Sequence, residues 1–168
     1  MNNDEKEKRL NTDANLSAQP TKDDGKDSTD SNANNDDNTK DDQQNGKSLS
    51  GYAVVFDTPS KNLGNFKEVI DKNAFDGVDL SDVLMVSNHD FSKVLASTKA
   101  GTLKLNVDDK GLHFEAQLPK TTVADDTYEN VKDGNISNMS FTFAVADDGD
   151  TFTKDDDGNV IRTIKQVK

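Results

Sequence analysis

Between Leu103 and Leu118 apolar residues fall on every second position. Leu103, Leu105 and Val107 come first, and Leu112, Phe114, Ala116 and Leu118 follow across Asp108-Asp109-Lys110-Gly111. Successive side chains of an extended chain point to opposite faces, so a period of two on both sides of a glycine-containing turn predicts a β-hairpin with one buried face. Shorter apolar runs predict further strands. Gly51 opens Tyr52-Ala53-Val54-Val55-Phe56, which the turn Asp57-Thr58-Pro59-Ser60 closes; Phe66 to Ile70 is a second run, followed by a turn or single helical turn over Asp71 to Phe75. Val83-Leu84-Met85-Val86 is a continuous run of strand length that leads into Asn88-His89-Asp90. Only one segment has a helical period. Thr122 is placed to cap a helix to about Lys132, with Val123, Ala124, Tyr128 and Val131 near one face and Gly134 as its stop. Ile136 to Val145 then reads as a strand through Ser140-Phe141-Thr142-Phe143-Ala144-Val145. Asp155 to Asn159 turns into a last alternating run, Val160 to Val167. The expected fold class is α+β, mainly antiparallel β, a small barrel-like domain with one or two helices.

This patterning begins only near Leu49. Residues 1–48 carry 12 Asp or Glu against 7 Lys or Arg, no aromatic residue, and only scattered Leu, Ala and Met. Such a segment cannot bury enough surface to offset a backbone ordering cost of roughly 1–2 kcal/mol per residue. It is expected to be a disordered acidic low-complexity tail, with one β-rich domain over 49–168. Both tyrosines and all eight phenylalanines lie after residue 50, so the core must come from that domain.

The formal charge of −12 is spread over tail and domain, and neither carries a basic patch of the kind nucleic acids require. With no cysteine in the chain, disulfides, thiolate nucleophiles and thiolate metal sites are excluded. No apolar run is long enough to span a bilayer, and none follows the early basic residues as a leader peptide would need. The sequence therefore predicts a soluble intracellular protein that binds neither nucleic acid nor membrane.

Two histidines are present. His113 falls on the polar face of the predicted hairpin, where exposure to solvent explains it. His89 ends an apolar strand, a position from which a rigid scaffold often displays a functional side chain, although a lone strand-end histidine is more often structural. Ser140 shares a strand face with Thr142 and Ala144, opposite Met139, Phe141 and Phe143; by itself it reads as a small residue on a half-buried sheet. The acidic clusters Asp147-Asp148-Gly149-Asp150 and Asp155-Asp156-Asp157-Gly158 suit hairpin turns. They lack the ligand series and terminal glutamate of a calcium loop. No zinc-protease, phosphate-loop or Gly-x-Ser-x-Gly motif occurs, and no cofactor or metal is implied.

Taken in order, Ser50-Gly51-Tyr52-Ala53-Val54-Val55-Phe56-Asp57, Glu68-Val69-Ile70-Asp71 with Ala74-Phe75, Val83 to Asp90, Ala100-Gly101-Thr102-Leu103-Lys104-Leu105 and Gly134 to Phe143 resemble the caudovirus prohead serine proteases. The resemblance runs from about residue 49 to the end. It implies a fold related to the herpesvirus assembly protease and a catalytic pair made of His89 and Ser140, with Ser137 a competing serine that it does not select. It also implies the substrates, the major capsid protein and scaffold, and the place of action, the assembling prohead in the host cytoplasm. A homo-oligomer stays open.

Three departures stand out. Relatives continue into a further strand preceded by an acidic residue, so the third catalytic residue is expected beyond Lys168 and the activity of this chain is expected to be impaired. Leu95-Ala96-Ser97-Thr98 stands where an arginine is common in the third position, and Thr142 stands where the family usually has glycine. A capsid assembly or scaffold-associated protein without catalysis is the alternative reading. An acidic carbohydrate- or ion-binding domain is a weaker third.

Overall fold

The computed structural model describes residues 46–168 together with two strands of the N-terminal segment, β1 (Glu7–Asn11) and β2 (Ser17–Pro20). The rest of the expected tail lies outside the described residues. After them come β3 (Lys47–Val55), β4 (Phe66–Ile70), β5 (Leu84–Val86), β6 (Val94–Ser97), β7 (Leu103–Val107), β8 (Gly111–Gln117), α1 (Thr122–Lys132), β9 (Met139–Phe143), β10 (Asp150–Lys154) and β11 (Val160–Ile164). Mostly antiparallel strands with one helix make the fold α+β, as the patterning indicates.

The predicted hairpin is β7–β8, and it forms one side of the largest sheet, ordered β2-β3-β8-β7, with β7 at the edge. Along β8, Leu112, Phe114 and Ala116 are buried while Glu115 and Gln117 are exposed, so the period of two does set the buried face. β3 pairs with β8 through a bulge between Tyr52 and Val54. Before it Leu49, Gly51 and Ala53 point inward; after it Val54 and Phe56 do. One extra residue thus switches the buried parity, which explains why this strand reads as a solid apolar run instead of an alternation. β3 also begins two residues before the expected domain boundary, because Ser48 pairs with Gln117 and Lys47 Nζ reaches Asp125 and Glu129 of α1, both at 3.0 Å.

A second sheet, β10-β11-β4, contains a parallel pairing, β11 with β4, that antiparallel patterning alone did not suggest. Arg162 of β11 lies between its neighbours, with Nε 2.6 Å from Asp150 and Nη1 3.5 Å from Glu68, which is only 4% exposed. The β10–β11 turn is closed by Asp155, whose Oδ1 accepts from the amides of Asp157 and Asn159. This acidic cluster is therefore a hairpin turn, as expected. Two further ladders, β5-β6 and β1-β9, complete the set. The four ladders do not join into a closed barrel among the described residues, which corrects the barrel-like expectation: closure requires one continuous staggered ladder, and here the hydrogen bonding is broken into separate pieces.

Helix α1 starts one residue earlier than expected in its capping. Thr121, not Thr122, is the N-cap, its side chain accepting from the Ala124 amide at 3.3 Å. Ala124, Tyr128 and Val131, spaced by four and three, are its buried residues. Gly134, at φ +76°, takes the left-handed turn that ends it. Among the described residues no helix is long and apolar enough to cross a membrane.

Candidate active site

β9 is a short strand with two unlike faces. Phe143 is buried, Met139 and Phe141 pack against the core, and the rings of Phe141 and Phe143 stack with centroids 4.8 Å apart. Anchoring of the odd-numbered residues leaves Ser140 and Thr142 on the other face, Ser140 half-buried and Thr142 exposed. One edge of β9 is paired with β1, in a register that sets Leu10 opposite Ser140.

His89 arrives from a different sheet. After β5 the chain makes a tight turn over Ser87–His89 in which Asn88 (φ 52°, ψ 39°) and His89 (φ 55°) both adopt left-handed backbone conformations. For an ordinary L-residue that region costs roughly 1–2 kcal/mol; asparagine tolerates it best. The turn is held by the Ser87 amide donating to Lys93 O (3.0 Å), the Asp90 amide to Ser87 O (3.0 Å) and the Lys93 amide to Asp90 O (2.8 Å). Strain of this kind persists only where its surroundings enforce it, and it concentrates at functional sites.

The consequence is that His89 Nε2 is in hydrogen-bonding contact with Ser140 Oγ, although 51 positions separate them in the chain. The other ring nitrogen, Nδ1, lies 3.4 Å from Thr142 Oγ1. The imidazole therefore rests on the polar face of β9, bridging its two hydroxyl side chains.

Asp90, the carboxylate next to His89, is not part of this arrangement. Its Oδ1 accepts from the Ser92 hydroxyl (2.6 Å) and amide (3.0 Å), and Lys93 Nζ lies 3.2 Å from Oδ2. The Ser92 hydroxyl first, then the amide and the Lys93 ammonium, hold the Asp90 carboxyl below its ordinary value. Asp90 serves the loop that carries the histidine.

The remaining candidates fall elsewhere. Ser137 is exposed in the segment before β9 and makes no hydrogen bond to His89 among the described contacts. His113 is half-buried on the polar face of β8, its ring edge-on to Tyr52 at 5.0 Å. It lines an open cleft of about 530 Å³ with Leu80, Thr98, Leu103, Leu105 and Glu115, in which neither His89 nor Ser140 takes part. Among the described residues no group of three or more histidines or carboxylates could hold a metal ion. Sequence reasoning missed the Thr142 contact. The period-two pattern that placed Thr142 beside Ser140 was the available signal, but only the folded turn brings the ring to both.

A strand-built domain presenting a serine hydroxyl against an imidazole has the parts of a serine hydrolase. The sequence model of the caudovirus prohead serine proteases matches residues 34–168, most of the chain, and the protein belongs to that family. No curated protein and no solved structure matches the chain.

Proposed function

We propose that this protein is a head-maturation endopeptidase in which Ser140 is the nucleophile and His89 its general base, acting on scaffold or on the scaffold-like part of the major capsid protein inside the assembling phage head. The contact between His89 Nε2 and Ser140 Oγ carries the reading; family membership supports the reaction class and the setting. As Oγ attacks a peptide carbonyl carbon, Nε2 takes the hydroxyl proton and a C–O bond forms. Collapse of the tetrahedral intermediate breaks the C–N bond, and the imidazolium returns the proton to the departing amine. Water then repeats the sequence on the acyl-enzyme, with the same base, and frees the carboxylate.

The backbone supplies the positioning. Ser140 sits on a strand nailed to the core by its alternate side chains, and His89 on a turn closed by three backbone bonds. Both groups are thereby fixed before substrate arrives, which lowers the entropic part of the barrier.

The test is cleavage of a capsid-protein precursor together with fluorophosphonate labelling. Ser140→Ala is expected to abolish both, and His89→Ala to reduce labelling of Ser140 by about 10⁴-fold or more. A label on another residue, or full cleavage by Ser140→Ala, would overturn the assignment. A wild-type protein that binds the precursor and takes up no label would instead favour a non-catalytic assembly role.

A further inference from the structure

The ring nitrogen that does not face the nucleophile has a defined neighbour, and that neighbour is not a carboxylate. We infer that Thr142 is a positioning residue for His89: its Oγ1 accepts a hydrogen bond from Nδ1–H and so favours the tautomer that leaves Nε2 free to take the Ser140 proton.

Proton placement sets the requirement. A neutral imidazole carries one N–H, and Nε2 can act as a base toward Ser140 only if that proton sits on Nδ1. Nδ1–H then needs an acceptor. Thr142 Oγ1, 3.4 Å away, is its hydrogen-bond partner among the described contacts. The adjacent carboxylate Asp90 is occupied by Ser92 and Lys93. Strand periodicity makes the arrangement possible, because residues 140 and 142 share a face and meet the two nitrogens of one ring.

The chemistry differs from that of a carboxylate in a definite way. A carboxylate only accepts, so it enforces the Nδ1–H form and stabilises the imidazolium by charge; a hydroxyl can also donate, so it favours that form without enforcing it, and being neutral it orients the ring without supplying countercharge. At 3.4 Å the bond is longer than the usual range of about 2.7–3.2 Å and of the neutral kind, worth at most about 1 kcal/mol. Its removal should therefore lower turnover by up to about fivefold, far less than removal of His89.

The inference rests on the His89–Ser140 reading for its catalytic meaning, but its test has an independent readout. Long-range ¹H–¹⁵N spectra of the ¹⁵N-histidine-labelled full chain report which nitrogen of His89 is protonated, whether or not the protein cleaves anything. Wild type is expected to show a majority of the Nδ1–H form. Thr142→Val, which keeps the shape and cannot accept, should shift the population toward Nε2–H and lower kcat by up to about fivefold with KM unchanged; Thr142→Ser should restore both. Thr142 is exposed, so these variants should retain the fold. A wild-type ring protonated mainly at Nε2, or a Thr142→Val spectrum and kcat equal to wild type, overturns the inference. A tautomer that responds to Thr142 in a protein whose Ser140 takes no fluorophosphonate leaves the ring contact standing and removes the catalytic reading instead.

Discussion

Two glycines separate two physical reasons for needing glycine, and replacing each by alanine measures them. Gly111 begins β8 beside β3. A methyl group built there would lie 1.9 Å from the carbonyl oxygen of Val54, 2.9 Å from its carbonyl carbon and 3.1 Å from the Val55 Cα. Normal contact with that oxygen begins at about 3 Å, so the strands must separate locally by roughly 1 Å. The hydrogen bond from the Phe56 amide to Lys110 O, now 2.9 Å, would then stretch to about 4 Å and be lost. Val54 and Phe56, 0% and 6% exposed, would move with it. One unmade bond at a buried amide, about 1–3 kcal/mol, plus strained repacking, about 1–3 kcal/mol, gives a loss of about 3 kcal/mol for Gly111→Ala. Gly134 is the converse case, since its φ of +76° is unfavourable for alanine but nothing lies within 4 Å of the added methyl. Gly134→Ala should cost only the conformational penalty, about 1 kcal/mol. Urea unfolding followed by circular dichroism reads both. With a slope of about 1–3 kcal/mol per molar for a domain of this size, Gly111→Ala should lower the midpoint by roughly 1–3 M and Gly134→Ala by a third of that. If the two losses are equal, or Gly134→Ala is the larger, the close approach of β3 and β8 does not govern stability there and the reasoning fails.

The turn that presents His89 offers two more tests. Asn88 is exposed and left-handed, so Asn88→Ala should destabilise the turn by about 1 kcal/mol and slow labelling of Ser140, while Asn88→Gly should match wild type; equal labelling by both variants would show that the backbone conformation is not what positions the ring. Asp90 has its carboxyl depressed by Ser92 and Lys93, so its contribution to the loop is complete above the ordinary aspartate value and is lost as pH falls through the lower folded value. A carboxyl ¹³C titration should place Asp90 below the ordinary 3.8, and Ser92→Ala should move it back up; an unmoved midpoint in that variant would disprove the cause.

The elements were legible in the sequence wherever local physics decides them. Alternation from Leu103 to Leu118 was sufficient for β7–β8, because burying one face of a hairpin requires that period and no other. The helical spacing of Ala124, Tyr128 and Val131 marked α1 in the same way, with its cap misplaced by one residue since Thr121 and Thr122 are chemically alike. β6 and β10 carried no such signature: Val94–Ser97 is short, and Asp150–Lys154 is held by pairing with β11 more than by its own apolar residues. The bulge at Ala53 concealed the period of β3 by inserting a single residue.

The sequence by itself determined that a strand leads toward His89, from the apolar run Val83–Val86, and that Ser140 and Thr142 share a face, from the two-residue repeat of an extended chain; it did not show that His89 lies three residues past the end of β5, on a left-handed turn. Only the tertiary structure decided that these meet. Bringing β5 and its left-handed turn against β9 depends on long-range packing of sheets, whose geometry no local pattern encodes, and the same packing put a threonine hydroxyl against the second nitrogen of the imidazole, while the neighbouring carboxylate is engaged within its own loop by Ser92 and Lys93.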